Sequence, residues 1–209
     1  MDFSERNRTI EPHPDFDESY KGTPPWDIGR PQSDFILVEE RGELRGSILD
    51  VGCGTGENAL FFASRGHVVV GIDSSPRAIN KAQRKARERK IPGVTFVVGD
   101  ALNLSRELKG TSFDNITDCG LFHIFTDEQR LRFTGSLQSG LKENGKYFML
   151  CFSDLEPIGW GGPRRVSQAE IRESFSNGWA INYIKEARLE TNLAYVAGRA
   201  WMSSISIRK

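Results

Sequence analysis

One glycine-rich turn and a set of aspartates carry the residue types in this chain that could do chemistry. The stretch Ile48-Leu49-Asp50-Val51-Gly52-Cys53-Gly54-Thr55-Gly56-Glu57-Asn58 ends an apolar run with an acid and follows it with three alternating glycines. Without a Cβ, glycine lets backbone approach a ligand closely. The spacing is G-x-G-x-G, which is not the G-x-G-x-x-G of a dinucleotide site, and no G-K-[ST] follows to make a P-loop. Three further acids, Asp73, Asp100 and Asp118, each come at the end of an apolar or β-branched run. His123 is the only histidine near this set, and its side chain ordinarily titrates near pH 6.5. The three cysteines, Cys53, Cys119 and Cys151, form no C-x-x-C pair, so neither a zinc site nor a disulfide framework is expected.

The elements that must hold these residues follow from periodicity and end signals. An apolar strand at 47–51 leads through the glycines into a helix closed by Gly66, and a β-branched run at 67–72 leads into a second helix at 77–90, opened by Ser75 and Pro76. Strands follow at 94–98 and 113–117, then a helix capped by Thr126-Asp127 that runs to about residue 142, then a strand at 146–152. Repeated strand–helix units imply a parallel sheet covered on both faces, a doubly wound α/β domain that binds ligands beyond the carboxyl ends of its strands. Near the end, 166–170 opens a short helix with Ile171 and Phe175 on one face, and runs at 179–187 and 194–207 read as two antiparallel strands at the sheet edge. A helix is also expected over 33–44, whereas 1–24, with Pro12, Pro14 and Pro24, reads as an irregular arm.

Composition narrows the partner. The 209 residues suit a single domain, 1–209, and 28 basic residues against 28 acidic ones leave no basic field for nucleic acid or anionic membrane. The helix at 77–90 carries seven Lys/Arg and one acid, but Ala78, Ala82 and Ala86 recur at helical spacing, so its charges read as a solvated face. With no apolar leader or membrane span in evidence, a cytoplasmic protein, monomeric or homodimeric, with a small-molecule partner is expected.

The motif Asp50-Val51-Gly52-Cys53-Gly54-Thr55-Gly56 resembles the first motif of class I methyltransferases. That resemblance implies a Rossmann-like, seven-stranded, mostly parallel sheet with an antiparallel C-terminal edge hairpin, S-adenosyl-L-methionine as cofactor and S-adenosyl-L-homocysteine as product. It further implies that Asp50 and the backbone of Gly52, Cys53, Gly54 and Gly56 face the amino-acid end of the cofactor. Asp73, beside Ser74, would accept the ribose hydroxyls; the alternative is that it only caps the following turn. Asp100 and the Ala101 amide would meet the adenine, unless Asp100 is an ordinary helix cap. Asp118 and Cys119 would stand beside the sulfonium. A protein of this kind mainly positions the acceptor and, for some acceptors, removes a proton. His123 is the general-base candidate, against a packing role, while Cys53 and Cys119 read as small residues rather than nucleophiles.

Residues 23–32 resemble the N-terminal segment of the thiopurine, thiol/halide and tellurite-resistance methyltransferases, which implies that an arm, 1–32, folds over the cofactor held by the core, 33–209. Trp26 then faces the cation, or else plugs the end of the sheet. Asp118 to Phe125, together with Leu150 to Asp154 and Gly162 to Val166, resembles bacterial heterocyclic toxin methyltransferases. The implied acceptor is an N or O atom of a small aromatic heterocycle such as a hydroxyquinolone, with a thiol, halide or tellurite acceptor or a non-catalytic regulatory module as alternatives. Phe122, Trp160 and Arg165 are the candidate acceptor contacts; Arg164 or Arg165 could hold an anion or be structural.

Overall fold

The computed structural model describes residues 15–157, 162–193 and 197–208. Seven strands form one sheet: β1 (Ser47–Val51), β2 (Val68–Asp73), β3 (Val94–Val98), β4 (Phe113–Cys119), β5 (Leu141–Phe152), β6 (Trp179–Leu189) and β7 (Gly198–Ile207), in the order β3-β2-β1-β4-β5-β7-β6. The pairs among β1 to β5 are parallel, and β7 pairs antiparallel with both β5 and β6. The expected hairpin is therefore present, with its second strand inserted next to β5 and its first strand at the edge.

Helices cover both faces. Around α1 (Phe16–Ser19) and α2 (Ser33–Glu40) come α3 (Glu57–Ser64), α4 (Pro76–Glu88), α5 (Leu104–Glu107), α6 (Asp127–Gly140) and α7 (Gln168–Ser174). Strand alternation divides the core in two. Leu49 and Val51 of β1 and Tyr147, Met149 and Cys151 of β5 pack with Phe133 and Leu137 of α6, whereas Ile48, Phe148, Leu150 and Phe152 pack with Phe35, Leu60, Phe62 and Ile79 on the other side. Burying a Leu- or Phe-sized side chain stabilises by about 1.5 to 3 kcal/mol, so each face anchors its helices.

The end signals act as read: Ser75 accepts from the Ala78 amide, and Thr126 and Ser167 each close a capping box with Gln129 and Glu170. Three boundaries differ. The arm is not wholly irregular, because Asp15 caps the single turn of α1. Helix α2 stops at Glu40, where Gly42 turns left-handed (φ 66°), and α6 stops at Gly140, after which the β4–β5 register slips between Phe113 and Asn115 before pairing resumes at Lys146. On α4, Ala78 and Ala82 face the core as the alanine spacing requires, but Lys85 and Arg89 reach back to Glu57 of α3 at 2.7 Å.

The sequence places β2 and β3 on one side of β1 and β4 on the other, so the chain reverses its winding between β1 and β4. That fork opens the cleft described below. Gly56 closes its floor at φ 84°; a Cβ there would stand 2.6 Å from Phe96 Cζ and 3.0 Å from Ala82 Cβ. Gly56→Ala should accordingly lower stability by about 1 to 3 kcal/mol, read as a lower urea midpoint, and an unchanged midpoint would show that Phe96 yields at no energetic cost.

Candidate functional site

A cleft of about 1840 Å³ runs along the carboxyl ends of β1, β2 and β4 and on to the starts of α6 and α7. Single-ligand pockets span roughly 300 to 1,000 Å³, so this one has room for two molecules.

At its centre is Asp50, 1% exposed. Thr117, its register partner on β4, donates to Oδ1 at 2.8 Å, while the buried Oδ2 has no hydrogen-bond partner among the described residues. Burial pushes the carboxyl up to about 7, the Thr117 hydrogen bond opposes this, and the charges of Asp118 and Asp73 add to it; the Ala59 amide pulls weakly downward without closing a hydrogen bond. An uncompensated buried oxygen at the wall of a cleft is a seat for a cationic donor. Beside it Gly52, Gly54 and Gly56 all take left-handed φ, and a Cβ on Gly54 would stand 2.7 Å from the Tyr20 hydroxyl, so the turn leaves a cradle that only glycine keeps open. These features fit the ammonium and carboxylate of an amino-acid ligand.

Asp73 is bound into this turn: the Gly54 amide donates to Oδ2 and the Ser75 amide to Oδ1, each at 2.8 Å. Its capping role is thus realised, and the residue borders the cleft beside exposed Ser74. Asp100 caps the turn at 101–103, accepting from the Leu102 amide at 2.9 Å and from Asn103 Nδ2 at 2.6 Å, with Ala101 also on the cleft wall.

Two candidates lie elsewhere. Asp118 does not face the cleft; it is fully buried and accepts from the amides of Leu121 (2.7 Å) and Phe122 (3.0 Å) and from the Tyr147 hydroxyl (2.7 Å). Alternation explains this, since Thr117 points with Asp50 and the next residue points to the opposite face. Burial raises Asp118 to about 7, and its work is to shape the turn that carries His123. Phe122 is likewise in the core, stacked on Phe175 at 5.8 Å.

His123 borders the cleft but is not built as a base. Its ring is 5% exposed and stacks on Phe152 at 5.1 Å, and the Phe152 amide donates to Nδ1 at 3.2 Å. That bond assigns the proton to Nε2. Burial, with the charge of Arg130, holds the ring down at about 3, so it stays a neutral donor at physiological pH. Cys53 and Cys119 border the cleft with thiols pushed well up by burial and by neighbouring aspartates, which removes them as nucleophiles.

The arm crosses the cleft and is tied at both sides. Asp27 accepts from Thr55 at 2.8 Å; Thr55 accepts from Lys85, which also binds Glu57 with Arg89. Opposite, Arg30 pairs bidentately with Glu190 at 2.9 and 2.7 Å, and the Asn192 amide donates to the Pro25 carbonyl at 2.8 Å. Trp26 is 38% exposed on the cleft wall, donates to the Tyr20 hydroxyl at 2.8 Å, and meets Phe16 edge to face at 5.8 Å. At the α6 end Arg164 is structural, bridging Asp127 at 2.6 Å and Glu170, while Arg165 borders the cleft and donates to the Pro157 carbonyl at 3.2 Å; Trp160 lies outside the described residues.

Arg130, on the cleft wall and 2% exposed, is a residue the motifs do not flag. The available signal is its place on the buried stripe of α6 with Phe133, Thr134 and Leu137, where an arginine is out of keeping.

A family model described as a methyltransferase domain matches residues 48–145. The 2-heptyl-1-hydroxyquinolin-4(1H)-one methyltransferase of Mycobacteroides abscessus is 37% identical over 186 residues, 85% of this chain and 81% of that protein. A solved structure from work on the conversion of a disulfide bond into a thioacetal group during echinomycin biosynthesis is 31% identical, with a TM-score of 0.83 over 92% of this chain and 91% of that one. The magnesium protoporphyrin IX methyltransferase of Synechocystis PCC 6803, solved with bound S-adenosylmethionine, shares the fold at a TM-score of 0.61 and 22% identity over 82% of this chain and 76% of that one. With a methyltransferase-domain match laid over the glycine turn and a relative alike along most of both chains, the chain belongs to the S-adenosylmethionine-dependent methyltransferases, and S-adenosylmethionine is its cofactor.

Proposed function

We propose that the enzyme methylates an oxygen or nitrogen of a small aromatic heterocycle of the hydroxyquinolone kind. The observation that carries this reading is the likeness to the hydroxyquinolinone methyltransferase along 81% of that protein, joined to a cleft with space beyond one ligand. The cofactor, when bound, supplies a methyl group already activated on a sulfonium. The chain's own task is then to hold two molecules in line and keep water away. Asp50 Oδ2 takes the ammonium, Asp73 the ribose, and Asp100 with the Ala101 amide the adenine. Trp26 and the latched arm roof the reacting centre.

A sulfur acceptor is the second reading, favoured by the likeness to the structure from the disulfide-to-thioacetal work. A panel of hydroxyquinolones, flavonols, thiols and iodide, followed by mass detection, separates the two. The first reading expects methylated hydroxyquinolone in excess of any thioether or methyl iodide, and the reverse order would overturn it.

Asp50 makes the cofactor half of the reading measurable. With the carboxyl near 7 in the free protein, most of it is protonated at pH 6, and an ammonium against Oδ2 favours the ionised form. Binding must therefore expel a proton, the direction set by linkage. Calorimetry of S-adenosylhomocysteine binding in buffers of different ionisation enthalpy should show release of up to about one proton at pH 6 and less at pH 8. Asp50→Asn should bind more weakly and release none. Wild-type binding without proton release at pH 6 would remove the ammonium assignment.

A further inference from the structure

The cleft end opposite the glycine turn holds a buried guanidinium whose hydrogen bonding is incomplete. Arg130 Nη2 has no hydrogen-bond partner among the described residues. Nη1 lies 3.5 Å from Glu170 and 3.9 Å from Asp127, both of which are held more closely by Arg164. Nε lies 3.4 Å from the Phe122 carbonyl, and the guanidinium sits 4.4 Å above the Phe122 ring. A buried cationic donor left unmatched is unfavourable, and packing alone would be served by an apolar side chain. Those two carboxylates, Glu170 and Asp127, are shared with the Arg164 guanidinium and reach only Nη1, and the other groups facing Arg130 are uncharged: the Cys151 thiol, raised by burial, and His123, whose Nε2 carries a proton. Arg130 and His123 thus present two N–H donors and no base along one stretch of wall.

We infer that Arg130, with the Nε2–H of His123, is the acceptor clamp, and that it selects an acidic conjugated heterocycle bound as its anion. This rests on the methyl-transfer reading above. A guanidinium on the attacking atom itself would hold back its lone pair. The clamped oxygen is therefore the far end of a conjugated system that shares the charge over two oxygens, as an N-hydroxy-4-quinolone does once ionised. The other oxygen forms the new O–C bond as the C–S bond breaks. The bonding pair stays on sulfur, and anion plus sulfonium become two neutral products. No proton moves within the protein, which accounts for a histidine held neutral where a base was expected.

The test is calorimetric binding of 1-hydroxyquinolin-4-one to the protein saturated with S-adenosylhomocysteine, across the pH range that spans the probe's own ionisation. Wild type should bind the anion and reject the neutral O-methylated probe, with affinity rising with pH as the probe ionises. Arg130→Met, which keeps the stack on Phe122, should lose about 10- to 100-fold of the anion affinity, the range for one charge-assisted hydrogen bond, and Arg130→Lys should recover part of it. S-adenosylhomocysteine binding by each variant serves as the measure of folding. Equal affinity for neutral and anionic probes in wild type, or anion affinity unchanged in Arg130→Met, overturns the clamp. Should Arg130→Met not fold, the wild-type comparison of the two probes alone decides. Anion binding that depends on Arg130 without methylated product would sustain the clamp while removing the heterocycle methyltransferase reading.

Discussion

The constraint on which the rest of the molecule turns is a carboxylate buried with one oxygen unmatched at the fork of the sheet. Asp50 stands on β1 where the strands diverge to either side, with Thr117 beside it in register and only Oδ1 satisfied. Natural interiors rarely leave a buried polar atom without a partner, because doing so costs a large share of a domain's net stability. At Asp50 the fold supports this cost from several sides. The glycine turn, the cap of α4 through Asp73 and the turn after β4 through Asp118 are each fixed by carboxylate–amide bonds, so the unmatched oxygen has rigid surroundings.

The arm extends the same logic outward. Its ties run on one side to Thr55 in the glycine turn and to Lys85, which in turn holds Glu57 at the first turn of α3, and on the other to Glu190 and Asn192 just after the edge strand β6. Exposed ion pairs are individually worth about 0 to 1 kcal/mol. The Arg30–Glu190 fork, with Arg30 half exposed, is a tie of that kind, whereas the Asp27–Thr55–Lys85–Glu57 chain runs through mostly buried side chains and fastens the arm more firmly to the glycine turn.

Much of this was legible in the residues. The strand–helix alternation, the caps at Ser75, Thr126 and Ser167 and the acids ending β1 and β2 follow from local rules that act within a few residues. What a motif cannot supply is the direction of a side chain at a strand end. Asp118 and Asp50 look equivalent along the chain, but alternation sends one under the Phe122 turn and the other to the cleft. Nor does spacing reveal that Nδ1 of His123 is occupied by a backbone amide from β5, a contact between residues 29 positions apart. Arg130 escaped because a charged residue inside an amphipathic helix reads as exposed unless its stripe is drawn. Arg164, one of the two loop arginines, proved to be the structural partner of Asp127 and Glu170.

The charges at the two ends of the cleft are complementary in a way that bears on rate. On the proposed reading, aspartates at one end surround the place of a cationic ligand, and at the other a guanidinium and an imidazole N–H would face the acceptor. Attack by an anion on a sulfonium annihilates charge, and such a step is favoured where water is excluded, because the separated charges lose hydration that the neutral products do not need. A buried base would work against this, since its own charged form would have to be desolvated in the same space. Low polarity around His123, which disables it as a base, is therefore the same property that makes the cleft a good medium for joining the two charges. The Phe152 stack from one side of the sheet and the Phe122–Phe175 layer from the other supply that environment.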